Sequence, residues 1–419
     1  MALTLGPWLK GFPPDAKPCA PADIAARRWN VLAGDLPLPL AALDRDALAH
    51  NIGWMQAYAR EHGVDLAPHG KTTMSPELFA RQLDAGAWGI TFANVFQLRV
   101  GVIAGVRRAL IANQLVQDID LAAVQALQRE HAELRVVFLI DSLQQLRRIE
   151  SWSRAHEAAR PFEVLLEIGV PGGRTGVRTH DDALALARAL HISPAVRLVG
   201  IECYEGLGAT GETDKDSAYA AALMQRLSAV AQACDRERLF DGDEVIVSAG
   251  GSGIFDLVAA RMRLDLQRPV RGLLRSGCYV THDHGHYQRL VQRVNERCGC
   301  TDGLRPALQL WTCVQSVPEP GLAILTAGRR DVGFDMGLPQ PIGFAAADAR
   351  RVEPSDPQWR ISALNDQHAY LHFDGTAAPA VGDRVVLGIS HPCTTFDKWH
   401  WMPIVDGAFD VVAAVTIHF

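Results

Sequence analysis

Long hydrophobic runs are missing from this sequence. No uncharged apolar stretch reaches membrane-spanning length, and the opening Met-Ala-Leu-Thr-Leu-Gly-Pro-Trp-Leu-Lys has no basic segment ahead of an apolar one. Neither a membrane protein nor a secreted precursor is expected, and the chain reads as cytoplasmic. An excess of positive charge is missing too. The net charge of -6, with Lys and Arg scattered among Asp and Glu, argues against nucleic acid and favours a small molecule as ligand. There is no cysteine framework either. Cys19, Cys203, Cys234, Cys278, Cys298, Cys300, Cys313 and Cys393 are too dispersed over 419 residues for a disulfide scaffold; most should be reduced and buried, with one or two available as ligands.

What is present is enough apolar content, 48% of the chain, to bury a large core in two domains. Residues 1–37 are rich in Pro, Ala and Gly and read as an irregular arm. Asp44 can cap a helix whose Leu48, Ile52, Met55 and Ala59 share a face. Apolar strands then recur at 64–67, 88–92, 108–112, 135–140, 162–168, 197–203, 244–248 and 270–274, with amphipathic helical segments between them. Eight parallel units close a (β/α)8 barrel, assigned to residues 38–295. Beyond it, strand-like stretches at 308–314, 321–326, 370–373, 384–389 and 411–418, broken by Pro and Gly turns, read as a mainly β domain over 296–419. Residues 38–43 are a candidate extra strand of that domain.

In such a barrel the chemistry sits at the carboxyl ends of the strands. The first strand runs into Leu66-Ala67-Pro68-His69-Gly70-Lys71, and a lysine held there can serve as a catalytic amine. The seventh leads into Ser248-Ala249-Gly250-Gly251-Ser252-Gly253 and a helix over 254–260, a cradle of backbone N–H groups suited to phosphate. Arg174 and Arg275 stand on Gly-bearing loops at the same rim, and Tyr204 offers a phenol after the sixth strand. In the second domain His391 and Cys393, two positions apart, can share a metal such as Zn²⁺ that keeps open coordination positions. A competing metal site is the run His282, His284 and His286, with Cys298 and Cys300 beyond; otherwise those histidines are solvated rim residues.

Taken in order, these motifs resemble one family. Pro68-His69-Gly70-Lys71-Thr72 is similar to the pyridoxal-phosphate lysine motif of the D-serine dehydratase and D-threonine aldolase group, fold type III enzymes related to alanine racemase. Gly172-Gly173-Arg174-Thr175-Gly176-Val177, Ser248-Ala249-Gly250-Gly251-Ser252, Arg275-Ser276-Gly277-Cys278-Tyr279 and His391-Pro392-Cys393 match further motifs of that group. The resemblance implies pyridoxal 5'-phosphate joined to Lys71 as a Schiff base, with phosphate near Gly250, Gly251, Ser252 and the Gly277–Cys278 backbone. It implies Arg174 near the phenolic oxygen, His69, Tyr204, Ser248 and Arg275 around the cofactor, and Zn²⁺ or another divalent metal on His391 and Cys393. Departures are Gly253 and Ser276 in place of prolines and Thr73 in place of histidine beside the lysine.

The chemistry so implied is β-elimination from a D-3-hydroxy amino acid such as D-serine, giving a keto acid and ammonia. The alternatives are retro-aldol cleavage to glycine and an aldehyde, a non-catalytic pyridoxal-phosphate carrier, or a racemase with Tyr204 as second base. Relatives of this kind form homodimers, and a dimer is expected here.

Overall fold

Asp44 joins the two parts of the chain. It ends strand β1 (Leu40–Asp44), and its carboxylate accepts the Ala47 N–H at 2.7 Å to cap the helix Arg45–Glu61. The structure is a computed structural model and describes residues 3–158, 160–374 and 378–419. After the capped helix come β2 (Asp65–Leu66), β3 (Ile90–Phe92), β4 (Arg108–Gln114), β5 (Arg135–Ile140), β6 (Phe162–Ile168), β7 (Val196–Cys203), β8 (Val245–Ala249) and β9 (Val270–Leu274), with helices between them.

These strands pair in parallel in the order β2-β9-β8-β7-β6-β5-β4-β3. The ring closes where the Trp88 N–H donates to Leu66 O at 2.7 Å, the Thr91 N–H donates to Pro68 O at 2.8 Å, and His69 bridges Thr91. The barrel is therefore the expected (β/α)8 form, although β2 is shorter than expected because Ala67 and Pro68 leave the regular ladder. Alternate residues separate two cores. Val137, Leu139, Leu165, Val199, Ile246 and Leu273 pack in the barrel interior, whereas Val136, Phe138 and Ile140 face the surrounding helices. A filled interior leaves the carboxyl-end mouth as the place for a ligand.

The last helix of the alternation, His286–Cys298, leads to β10 (Leu308–Glu319), β11 (Leu322–Leu325), β12 (Gln340–Ala345), β13 (Glu353–Pro354), β14 (Arg360–Leu364), β15 (Ala369–His372), β16 (Arg384–Gly388), β17 (Trp401–Val405) and β18 (Val411–Thr416). The second sheet runs β13-β12-β16-β10-β1-β17-β18, and β10 continues into a further antiparallel set with β11, β15 and β14. Strand β1 lies between β10 and β17, antiparallel to the first and parallel to the second. The segment ahead of β1 packs on this sheet. Phe12 meets Trp401 edge to face, Trp401 Nε1 donates to Lys10 O at 3.0 Å, and Lys10 Nζ sits 3.8 Å from the Trp399 ring centre.

Candidate active site

At the mouth of the barrel lies a cavity of about 340 Å³, walled on one side by the β domain. Among the residues that the resemblance assigns to the site, Ser248 alone does not line it. His69, Lys71, Arg174, Tyr204, Gly250, Gly251, Ser252, Arg275, Gly277, Cys278, His391 and Cys393 all do. Ser248 is buried one step behind, where its hydroxyl accepts from Arg275 Nη1 at 2.5 Å.

Lys71 stands on the single 3-10 turn Gly70–Thr72 and is exposed to the cavity. Beside it, burial and the charges of Lys71, Arg275 and Arg174 hold the His69 imidazole well below its ordinary value, so the ring is neutral. Its Nδ1 is buried without a hydrogen-bond partner.

The phosphate-type cradle is formed. Gly250 has φ +101°, a conformation that L side chains rarely adopt, and a Cβ on Gly277 would come within 2.6 Å of His69 O. The cradle is also engaged by this chain itself. The Gly250 N–H donates to Glu205 Oε2 at 2.9 Å and the Gly251 N–H to Glu205 Oε1 at 2.5 Å. The Cys278 N–H donates to Ser252 Oγ at 3.2 Å. The following helix, Phe255–Ala259, has five residues, fewer than the sequence suggested, so an anion bound here would rest on the backbone donors rather than on a helix dipole.

Arg275 is fixed in the floor. Its guanidinium donates to Ser248 Oγ and to Cys203 O at 3.0 Å, and its Nη2 lies 2.8 Å from Glu202 Oε2. Burial pushes the Glu202 carboxyl up to about 8 against the pull of Arg275. Arg174 stands at the rim, 5.2 Å from the Tyr204 ring centre. Its loop is pinned by Arg178, which donates to Gly173 O at 2.8 Å and Gly176 O at 3.0 Å.

The β-domain wall carries His391 and Cys393 at the start of the helix Pro392–Phe396. His391 Nδ1 is 2.7 Å from Asp335 Oδ2, while Asp335 Oδ1 accepts from Thr394 Oγ1 at 2.7 Å. Cys393 Sγ is 3.5 Å from Thr72 Oγ1.

Two histidines of the triple run are not solvated, whereas His286 is half-exposed. His282 is buried and bonded through Nε2 to Gln288 Oε1 at 2.7 Å, and His284 packs against Gly388. Burial lowers both rings to about 4. The intervening helix of thirteen residues is about 20 Å long, which keeps Cys298 and Cys300 from joining them. Among the described residues, no three His, Cys, Asp or Glu side chains already close around one point.

Glu202, Glu205, Tyr287 and Asp335 are site residues that sequence reasoning passed over. The signal for the first two was there: two carboxylates flank Tyr204 at the end of an apolar strand, where an acid is buried only with partners.

The cavity fits the cofactor that the motifs imply. It joins an accessible amine, a glycine-lined set of N–H donors and an unpartnered ring nitrogen, with Glu205 standing where an anion would go. Residues 43–273 match the family described as "Alanine racemase, N-terminal domain", and residues 307–405 the one described as "Putative serine dehydratase domain". The chain is 30% identical to a D-threo-3-hydroxyaspartate dehydratase of Delftia sp. (strain HT23), over 86% of this chain and 92% of that protein. It is 28% identical to a D-threonine aldolase of Arthrobacter sp, over 94% and 93%. The crystal structure of a D-threonine aldolase from Filomicrobium marinum superposes with a TM-score of 0.77 at 26% identity, covering 91% of this chain and 95% of that one.

Proposed function

Because the chain belongs to the alanine racemase-like, fold type III pyridoxal-phosphate family, we propose that it is a metal-dependent lyase that eliminates water from a D-3-hydroxy amino acid such as D-serine. The products are a keto acid and ammonia. The observation that carries this reading is the His391–Cys393 pair facing the cavity. D-threo-3-hydroxyaspartate dehydratase has been crystallised with alanine at a histidine and, in a metal-free form, with alanine at a cysteine two positions further on, the spacing found here.

When bound, pyridoxal phosphate supplies the electron sink for the carbon that loses its proton. Lys71 Nζ is placed to hold the cofactor and to take that proton. Backbone N–H groups of Gly250, Gly251 and Cys278, with Ser252 Oγ, would hold the phosphate. Arg174 offers its guanidinium to an anionic oxygen at the rim, and neutral His69 lines the cavity beside Lys71. His391 and Cys393 would hold a divalent metal, which would supply Lewis acidity at the substrate's hydroxyl. Asp335 fixes the His391 ring so that Nε2 is left for that metal.

Likeness to the aldolase over 94% of the chain favours a second reading, retro-aldol cleavage at the same site. One experiment separates them. Protein reconstituted with pyridoxal phosphate is given D-serine and D-threonine, with and without a metal chelator. Pyruvate and ammonia from D-serine, lost on chelation and in Lys71→Ala, are expected. Glycine and acetaldehyde from D-threonine without ammonia release would make it an aldolase. No cofactor absorbance band after reconstitution would sink both.

A further inference from the structure

Cys278 faces two ways. Its N–H serves the cradle at Ser252, while its side chain reaches the opposite wall, with Sγ 3.5 Å from Cys393 Sγ and 3.8 Å from Thr72 Oγ1. The two cysteines are 115 residues apart in sequence and come from different parts of the fold, one from the barrel rim and one from the β domain. Both sulfurs are free thiols lining the same cavity.

We propose that Cys278 is a third protein ligand of the divalent metal, making a Cys278–Cys393–His391 site with one position open to the cavity. The inference rests on the metal reading of the proposed function. Two thiolates on one tetrahedral Zn²⁺, each about 2.3 Å from the ion, lie about 3.8 Å apart. The sulfurs here are already within a few tenths of an ångström of that separation. His391 is committed at Nδ1 to Asp335, and Nε2 is the nitrogen left for an ion. Because no three side chains yet converge on a point, the ion must draw the sulfurs and Nε2 together. Thr72 Oγ1, within reach of both sulfurs, is the outer hydrogen-bond partner for whichever thiolate carries more charge.

Two thiolates and an imidazole select a borderline-soft ion such as Zn²⁺ over Mg²⁺ or Mn²⁺. They also cancel the ion's two positive charges, so the open position takes a neutral hydroxyl oxygen in preference to a second anion. That is the ligand a 3-hydroxy amino acid presents.

The test is Co²⁺ added to reduced, chelator-stripped wild type, Cys278→Ser and Cys393→Ser, read as thiolate-to-cobalt charge-transfer absorbance. X-ray absorption of the Zn²⁺-loaded wild type supplies a second measurement that needs no variant. We expect a band in wild type that falls to about half in each variant, and two sulfurs in the zinc shell. We also expect metal affinity in Cys278→Ser to drop by more than the roughly 10- to 100-fold that losing an outer hydrogen-bond partner costs a metal site. A full-strength band in Cys278→Ser with one sulfur in the zinc shell overturns the role of Cys278 and leaves the His391–Cys393 reading standing. Wild type that binds neither ion overturns both. Should Cys278→Ser fail to fold, the sulfur count in wild type decides.

Discussion

At the scale of single residues, the site is governed by carboxylates that serve the protein before any ligand arrives. Glu205 accepts from the two glycine N–H groups that a phosphate would need, so cofactor binding and the Glu205 carboxylate compete for the same donors. Replacing it with a neutral acceptor, Glu205→Gln, should tighten pyridoxal phosphate binding by about fivefold. That corresponds to the roughly 1 kcal/mol by which a hydrogen bond to a charged group exceeds one to a neutral group. Titration of the apo protein followed by absorbance checks this, and weaker binding would mean that Glu205 anchors the loop instead. Glu202 yields a prediction in pH. Its folded-state value, about 8, lies above the ordinary 4.5, so between these the folded chain holds a proton that the unfolded chain has released. The stability carried by that proton is complete below the unfolded value and is lost as pH rises through about 8. Urea unfolding of the apo protein between about pH 6 and pH 9 should therefore show stability falling with pH, and a flatter fall in Glu202→Gln. Lys71, His391 and Cys393 were legible because their neighbours form motifs. Glu202 and Glu205 were legible only as acids at the end of an apolar strand; their partners appear once Arg275 or the Gly250 loop has been brought beside them.

At the scale of elements, the turn from β9 into the helix His286–Cys298 does more than connect. Asp283 is buried and accepts from the backbone N–H groups of Gly285, Tyr287 and Gln288 at 2.8, 3.1 and 3.3 Å, capping that helix and setting Tyr287 into the cavity wall. Asp283→Ala should cost about 0.5–2 kcal/mol of stability, measured by urea unfolding, because several N–H groups lose their acceptor together. Unchanged stability would mean that water replaces it. The barrel strands could be located from sequence because each is a bounded apolar run between helical patterns. Strands β12, β14 and β17 could not. Pro341 and Gly343 interrupt the first, and Pro403 sits inside the third, where proline ordinarily argues against a strand. In β14, exposed and buried residues alternate too briefly to stand out from a loop. β12 is settled by pairing to β16 and β17 by pairing to β1, both distant in sequence, whereas β14 forms a local hairpin with β15.

At the scale of the whole molecule, three large apolar side chains are exposed close to residues of the cavity mouth. Leu207 is 57%, Phe334 43% and Met336 41% exposed, beside Tyr204 on one side and the Asp335–His391 pair on the other. Such side chains around a ligand mouth are expected to be covered by a second copy of the chain. Light scattering after gel filtration should give the dimer mass, and Phe334→Asp with Met336→Asp should shift it toward the monomer. A monomer in the wild type would leave these exposed side chains without this explanation.

The placement of β1 between β10 and β17 has a consequence for biosynthesis. A ribosome releases Leu40–Asp44 long before Leu308 or Trp401 exists, so this apolar strand must wait with both edges unpaired while the entire barrel is made. His391 and Cys393 also emerge late. The second sheet thus closes around β1 only after its last strands have emerged, and until then β1 is an apolar strand without partners.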